Sequence, residues 1–370
     1  MSLSEIQLHR ERLLANSASL RSLLKPGQRL FAVVKGNAYG HGLSEVVSVL
    51  DPVMDGFQVD DVEELVATRR LTNKRILVLG YVAKADIAEA IRNGGELAIY
   101  DVGRLQAISE AAQDFGSSAT VHLKIDALLG RQGILPVDVP RIVNAIQSTP
   151  HVRLGAVYAH FANIEDTTDL GHAYDQIEAF DHAADQVRSH LGSEVETHMS
   201  ATSGLMTVEQ ANHFARVGLG LYGMYPSASL ARRPWEIPLQ PVLRWVTHLA
   251  QVKTLPARHP VGYGLTFITP REMRIGIVPQ GYADGFDRGL SNSGEVIVHG
   301  VRCSVLGRIA MNMFAIDLTR VPGAQPEDEV VLLGEQESEC ITPEEIASRI
   351  GTINYEITTR ISPLLPRRLI

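Results

Sequence analysis

From Phe31 to Gly218 one pattern recurs: a short aliphatic or β-branched run, a turn, then a stretch with helical periodicity. The runs beginning at Phe31, Gly56, Arg75, Leu97, Val121, Leu154, Val195 and Phe214 read as strands, bounded by Gly, Asn, Asp or Pro. Between them, helices are predicted at about 43–50, 61–70, 84–92, 102–114, 138–148 and 170–191. Strands alternating with helices form parallel crossover units, and about eight strands close most economically into an (α/β)8, TIM-type barrel. A further helix is predicted ahead of the first strand, from Ile6 to Leu24, stopped by Lys25-Pro-Gly.

After Tyr225 the alternation ceases. Runs at Leu243, Arg274, Glu295 and Glu329 read as strands split by Gly and Pro turns, which gives a mainly β C-terminal domain. The expected division is a barrel domain over 1–228 and a β domain over 229–370, with Pro226 to Pro241 as linker. Thr342-Pro-Glu-Glu has the form of a helix start: a capping hydroxyl, a proline at the first position and acids in the first turn. With 370 residues and 45% hydrophobic content, the chain can bury more than one core. A net charge of -8 without any block of Lys or Arg argues against nucleic acid and favours a small-molecule substrate. Only Cys303 and Cys340 occur, in no metal-ligand or disulfide spacing, and no apolar run reaches membrane-spanning length. The expectation is a cytoplasmic protein without metal or membrane.

The chemistry centres on Phe31-Ala-Val-Val-Lys35-Gly-Asn-Ala-Tyr39-Gly-His-Gly, where a lysine ends a buried strand and glycines leave room for a ligand. A primary amine placed there can form an imine with an aldehyde if burial depresses its pKa. The plain alternative is a lysine leaving a strand for solvent. Barrel strands direct their carboxyl ends to one mouth, so Lys35, Tyr39, Arg131, His160, Thr202, Ser203 and Arg216 can share a site. Taken singly, His160 reads as a core histidine and Arg131 and Arg216 as surface cations.

The stretch Ala32-Val-Val-Lys35-Gly-Asn-Ala-Tyr39-Gly-His-Gly resembles the cofactor-lysine motif of the alanine racemases, a family that uses pyridoxal 5'-phosphate (PLP). The resemblance runs along nearly the whole chain. In Arg216-Val-Gly-Leu-Gly-Leu-Tyr-Gly it implies that Arg216 meets the pyridine nitrogen while Gly218 and the amide of Leu219 hold the phosphate. An arginine can only donate there, so the ring nitrogen stays unprotonated, a weak electron sink that discourages transamination. His198-Met-Ser-Ala-Thr202-Ser203-Gly resembles the phosphate segment, and Tyr39 and Tyr355 match phosphate-binding tyrosines.

Val261-Gly-Tyr263-Gly-Leu-Thr-Phe matches the loop of the second catalytic group. Racemisation needs a base on each face of a planar carbanion, and the resemblance assigns these to Lys35 and Tyr263. It further implies that Tyr263 enters from the partner of a homodimer and bonds to His160, which contacts Arg216. Arg131 and the amide of Met311, in Gly307-Arg-Ile-Ala-Met311-Asn312, would hold the substrate carboxylate, with Tyr282 at the mouth. Lys124, seven residues before Arg131, matches a lysine that is sometimes carbamylated; a salt bridge to Asp126 is the simpler alternative.

The implied function is interconversion of L- and D-alanine, supplying D-alanine for peptidoglycan. Two segments depart from the family, Ala127-Leu-Leu and Asn312, both near the carboxylate pocket, so a racemase of another small amino acid such as serine stays open. A decarboxylase would have no need of the Tyr263 loop. A non-catalytic PLP-binding protein would resemble the barrel alone, and an aldolase would use Lys35 without cofactor.

Overall fold

A computed structural model describes residues 4–165, 167–192, 195–209, 212–234 and 238–370, and the chain divides into two compact units. The first nine strands are β1 (Glu5–Leu8), β2 (Arg29–Val33), β3 (Gly56–Val59), β4 (Arg75–Val78), β5 (Gly95–Ile99), β6 (Ala119–Lys124), β7 (Val152–Tyr158), β8 (Glu196–His198) and β9 (Phe214–Val217). β2 to β9 make one parallel sheet of eight strands, ordered β8-β7-β6-β5-β4-β3-β2-β9. Main-chain bonds from His213 N to Thr197 O and from Arg216 N to Ser200 O, both 2.9 Å, span the remaining seam and nearly close the barrel. The predicted helices fall between the strands, from Leu43–Leu50 to Gly171–Leu191. Among the described residues, no helix is long and apolar enough to cross a membrane.

The barrel interior is filled in layers. At the strand starts, Arg75 pairs with Glu96 (2.7 Å) and Glu196 (2.8 Å), and Glu196 also holds Arg29. The next layer is aromatic: Phe31 stacks on Phe214 at 4.4 Å, with Arg75 over the Phe31 ring at 5.5 Å. A polar column threads this layer, because Glu96 takes a hydrogen bond from His122 Nε2 (2.7 Å) and His122 Nδ1 meets His198 Nε2 (2.9 Å). His198 lies flat between Phe214 (4.3 Å) and Tyr158 (4.8 Å). Burial by itself would raise the Glu96 pKa, but hydrogen bonds from His122 and Arg75 bring it down to about 2.

The second unit takes Pro241–Ile370, Tyr39–Glu45 and the N-terminal segment through Glu11. Its strands are β10 (Leu243–His248), β11 (Gln251–Leu255), β12 (Pro260–Val261), β13 (Phe267–Ile268), β14 (Met273–Val278), β15 (Glu295–Val298), β16 (Val301–Leu306), β17 (Phe314–Asp317), β18 (Glu329–Gln336), β19 (Glu339–Ile341) and β20 (Arg367–Leu369). Ten of the chain's strands form one sheet, ordered β11-β14-β17-β16-β15-β18-β10-β1-β20 with β19 on β18, while β12 and β13 pair as a small hairpin. Leu255, Val261, Met273, Ile275, Leu306 and Ala315 form one apolar core cluster of this unit. Thr342 accepts from Glu345 N (3.2 Å) and starts the helix Pro343–Ile350, as its sequence predicts.

One sequence expectation is corrected. The first predicted helix begins only at Arg10, and Glu5–Leu8 is a strand lying between β10 and β20. Ile6 and Leu8 are fully buried there, so sheet pairing overrides a spacing that also fits a helix. The two compact units divide between Gln240 and Pro241, at the far end of the expected linker Pro226 to Pro241. Asn16 is one cause: its amide donates to Leu221 O and Gln240 O and accepts from Gln240 N, which keeps the segment before Pro241 on the barrel.

The Glu96 pairing yields a stability prediction. A carboxyl whose folded pKa lies below its unfolded value stabilises the fold above about pH 4.5 and loses that contribution as pH falls toward about 2. Glu96→Gln is expected to cost about 3 kcal/mol at neutral pH and to flatten the acid limb, as measured by denaturant titration across that range.

Candidate active site

Lys35 lies just beyond β2. Tyr222 donates to Val33 O (2.8 Å) and Val34 N donates to Gln58 O (2.9 Å), so the strand end is fixed from two sides. Past Lys35 the backbone turns left-handed at Gly36, Asn37, Ala38 and Tyr39, with φ between 53 and 62°. Three of these residues carry a Cβ, and such a conformation costs roughly 1–2 kcal/mol for each. It persists because side chains hold it: Glu64 accepts from Gly36 N (2.6 Å), Asn37 N (3.3 Å) and Asp60 N (3.0 Å). Lys35 Nζ lies 3.3 Å from Asp60 Oδ1.

Arg216 comes from β9 and is 4% exposed. Its guanidinium donates to Ala159 O (2.9 Å) and Met199 O (3.1 Å), with Gln58 Oε1 at 3.5 Å, and stands over the Tyr158 ring at 5.5 Å. His160 follows β7. Burial, then Arg216, Arg131, Lys124 and Lys35 in that order of effect, lower its pKa to about 3, so it is neutral at physiological pH.

Lys124 ends β6 and is 5% exposed, with Gln132 Oε1 at 3.5 Å and the Tyr158 ring at 5.8 Å. Burial, Arg131 and Arg216 lower its pKa to about 8. The salt bridge to Asp126 does not form: Asp126 Oδ1 instead accepts from Leu129 N and Gly130 N, both 2.9 Å, and closes the loop that carries the exposed Arg131. Gln176, invisible to motif reading, ties this loop to the next by donating to Ala127 O (2.6 Å) and accepting from Ala162 N (2.8 Å).

Thr202 and Ser203 are buried at the start of the helix Thr202–Thr207. Thr202 Oγ1 accepts from Gly218 N and Gly220 N, both 3.3 Å, which sets this helix start against the 3-10 turn Leu219–Tyr222. A Cβ on Gly220 would lie 2.8 Å from Thr202 Cγ2, so glycine is what permits the approach. Adjoining helical starts offer N–H donors to an anion.

The β unit groups the other predicted residues. Tyr39 and Tyr355 lie with ring centroids 6.1 Å apart. Tyr263 stands on a turn between Gly262 and Gly264, both at positive φ, and is 72% exposed. Asn292 accepts from Gly307 N (2.7 Å) and donates to Thr266 (3.1 Å), so it bridges the Tyr263 loop and the turn leading to Met311. Main-chain bonds from Tyr282 N to Ala310 O (3.2 Å) and Ala283 N to Met311 O (3.0 Å) lock the Tyr282 loop onto the same turn. Asn292 and Glu64 both escaped motif reading, although Asp61-x-x-Glu64 has the spacing of a helix capping box.

Known proteins resemble this chain along nearly its whole length. The family described as alanine racemase, N-terminal domain, matches residues 8–226, and alanine racemase, C-terminal domain, matches residues 242–369. An alanine racemase from Syntrophobacter fumaroxidans is 38% identical, with 92% of this chain and 91% of that protein covered. The solved alanine racemase from Bacillus anthracis with bound L-Ala-P has a TM-score of 0.94 at 28% identity, covering 100% of this chain and 95% of that one. The alanine racemase from Bartonella henselae, solved with covalently bound pyridoxal phosphate, shares the fold at a TM-score of 0.87 and 23% identity, each chain covered in full. With both family descriptions matched across nearly its whole length, this chain belongs to the alanine racemase family.

Proposed function

We infer that this protein is a PLP-dependent alanine racemase that interconverts L- and D-alanine, and so supplies D-alanine for peptidoglycan. The observation that carries the reading is the barrel cluster: an amine at a strand end, a buried arginine and a neutral histidine beside paired helical starts. Bound there, PLP supplies an electron-withdrawing ring that acidifies the α-hydrogen of an attached amino acid. The donors fit it. Lys35 would hold the aldehyde carbon, Arg216 would donate to the ring nitrogen, and Thr202, Ser203, Gly218 and Leu219 would hold the phosphate, with Tyr39 and Tyr355.

Arg131 and the Met311 amide would bind the substrate carboxylate, and Tyr282 would limit side-chain size. Lys35 and Tyr263 would each serve one face of the α-carbon. Tyr263 stands on an exposed turn of the β unit. Its 72% exposure, with Leu265 at 64% and Ile268 at 54%, supports a homodimer in which the β unit of one chain completes the partner's site. Two cysteines in 370 residues and an acidic balance support a cytoplasmic enzyme acting on a small molecule. A Lys124 pKa of about 8 leaves a neutral fraction at working pH, which supports carbamylation as the means of fixing Arg131.

Assay of a panel of L-amino acids for D-product tests the activity: alanine is expected to be the best substrate, and faster turnover of serine would redirect the reading. Lys35→Ala should abolish covalent PLP and racemisation. For Tyr263→Phe, net racemisation must fall equally in both directions because the enantiomers have equal free energy. The asymmetry appears in exchange with heavy water instead. D-alanine should keep exchanging its α-hydrogen with retention through Lys35, while exchange from L-alanine drops by about 100-fold or more. Equal exchange from both enantiomers would remove Tyr263 from its role.

Arg216→Glu should let the ring nitrogen hold a proton and raise pyruvate formation by transamination, read as pyruvate released per turnover. An unchanged ratio would place Arg216 away from the ring nitrogen.

A further inference from the structure

The left-handed turn after Lys35 is the most strained segment near the candidate chemistry, and its stability has a visible source. Gly36 to Tyr39 all have φ between 53 and 62°, and Ala38 N reaches Val34 O (2.7 Å), which leaves the Gly36 and Asn37 N–H groups to be satisfied elsewhere. Glu64 satisfies both with one carboxylate oxygen, at 2.6 and 3.3 Å, while its other oxygen accepts from Asp60 N at 3.0 Å. In an ordinary capping box the acid at the third helical position reaches back to the N-cap N–H. Here the helix Val62–Arg69 is capped by Asp61, which accepts from Glu64 N (2.8 Å), and the Glu64 side chain reaches past the cap to two strand ends. One of those ends carries Lys35 and the other carries Asp60, which lies 3.3 Å from Lys35 Nζ.

We propose that Glu64 is a positioning residue that holds the Gly36–Asn37 turn and thereby aims the Lys35 amine, a role that rests on the reading of Lys35 as the cofactor lysine. The side chain grips main-chain N–H groups of Gly36, Asn37 and Asp60. It acts on the backbone that follows the lysine and on the neighbour of its amine, so it should govern covalent attachment more than binding of the phosphate. Neutralising it by Glu64→Gln replaces one acceptor oxygen by an NH2 group facing N–H donors, and Glu64→Ala removes the grip. Neither disturbs the main-chain N–H that Asp61 caps.

The test uses the full-length protein, stripped of cofactor and reloaded. Covalent attachment at Lys35 is read as the rate at which PLP becomes fixed by borohydride to the Lys35 peptide. Non-covalent binding is read with deoxypyridoxine phosphate, which carries ring and phosphate but no aldehyde. Both variants are expected to attach PLP about tenfold to a hundredfold more slowly, while deoxypyridoxine phosphate binds within about twofold of wild type. Attachment at the wild-type rate would overturn the proposal, as would equal losses in attachment and in deoxypyridoxine phosphate binding, which would mean a general structural role. Amide exchange in the wild-type protein adds an arm that needs no variant: slow exchange at Gly36 and Asn37 is expected, and exchange at the rate of an open loop would also overturn it. If wild type itself fixes no PLP at Lys35, the assignment of the lysine falls. If wild type does and the variants match it, only the role of Glu64 falls.

Discussion

The pairing of β2 with β9 is the constraint on which the barrel site depends. These strands stand at opposite ends of the barrel sequence, yet they run parallel with Phe31 opposite Arg216. This pairing sets the strand that leads into Lys35 alongside the strand that carries Arg216, and the stacked Phe31 and Phe214 rings fill the space between the strand starts. A barrel must fill its interior to stay closed. Here the filling is partly ionic, and it is satisfied: Arg75, Glu96, Glu196 and Arg29 pair with one another, while His122 and His198 continue the hydrogen bonding inward. His122 donates from Nε2 to Glu96 and presents Nδ1 to His198, and burial lowers the pKa of both rings, on His122 against the opposing pull of Glu96, so both stay neutral inside the barrel.

At the opposite end of the interior the electrostatics reverse. Burial, reinforced by Arg216, Arg131, Lys124 and Lys35, keeps His160 neutral, and burial with Arg131 and Arg216 lowers the Lys124 pKa to about 8. Concentrated positive charge is costly unless an anion joins it. Such a cluster attracts anionic groups, and helical turns start at Thr202 and Leu219. The Arg216 guanidinium donates to the carbonyl oxygens of Ala159 and Met199, which fix its plane.

Much of this was legible in the chain. The βα alternation gave the barrel, and Lys35, Arg216, Thr202 and Tyr263 each stood in a motif of several consecutive residues. Residues that work by support were not legible. Gln176 lies within a long helix and Asn292 in a polar turn, and nothing in their neighbours marks them; only folding shows that each ties two loops together. Glu64 did leave a signal, since Asp61-x-x-Glu64 has capping-box spacing, but the sequence could not show that its carboxylate passes the cap to reach Gly36.

What the sequence by itself determined is the order of elements, the family and the identity of the groups that carry charge, because periodicity and local motifs are properties of neighbouring residues. Only the tertiary structure decided where those groups end up and in what state. It moved Glu5–Leu8 from helix to strand, since burial between β10 and β20 outweighs a local preference. It turned Asp126 from a partner of Lys124 into the cap of the Arg131 loop, leaving the amine with Gln132. It also assigned Tyr39 to the β unit although Lys35, four residues earlier, belongs to the barrel. Charge state and strain follow from burial and from distant partners, and those exist only once the chain has folded.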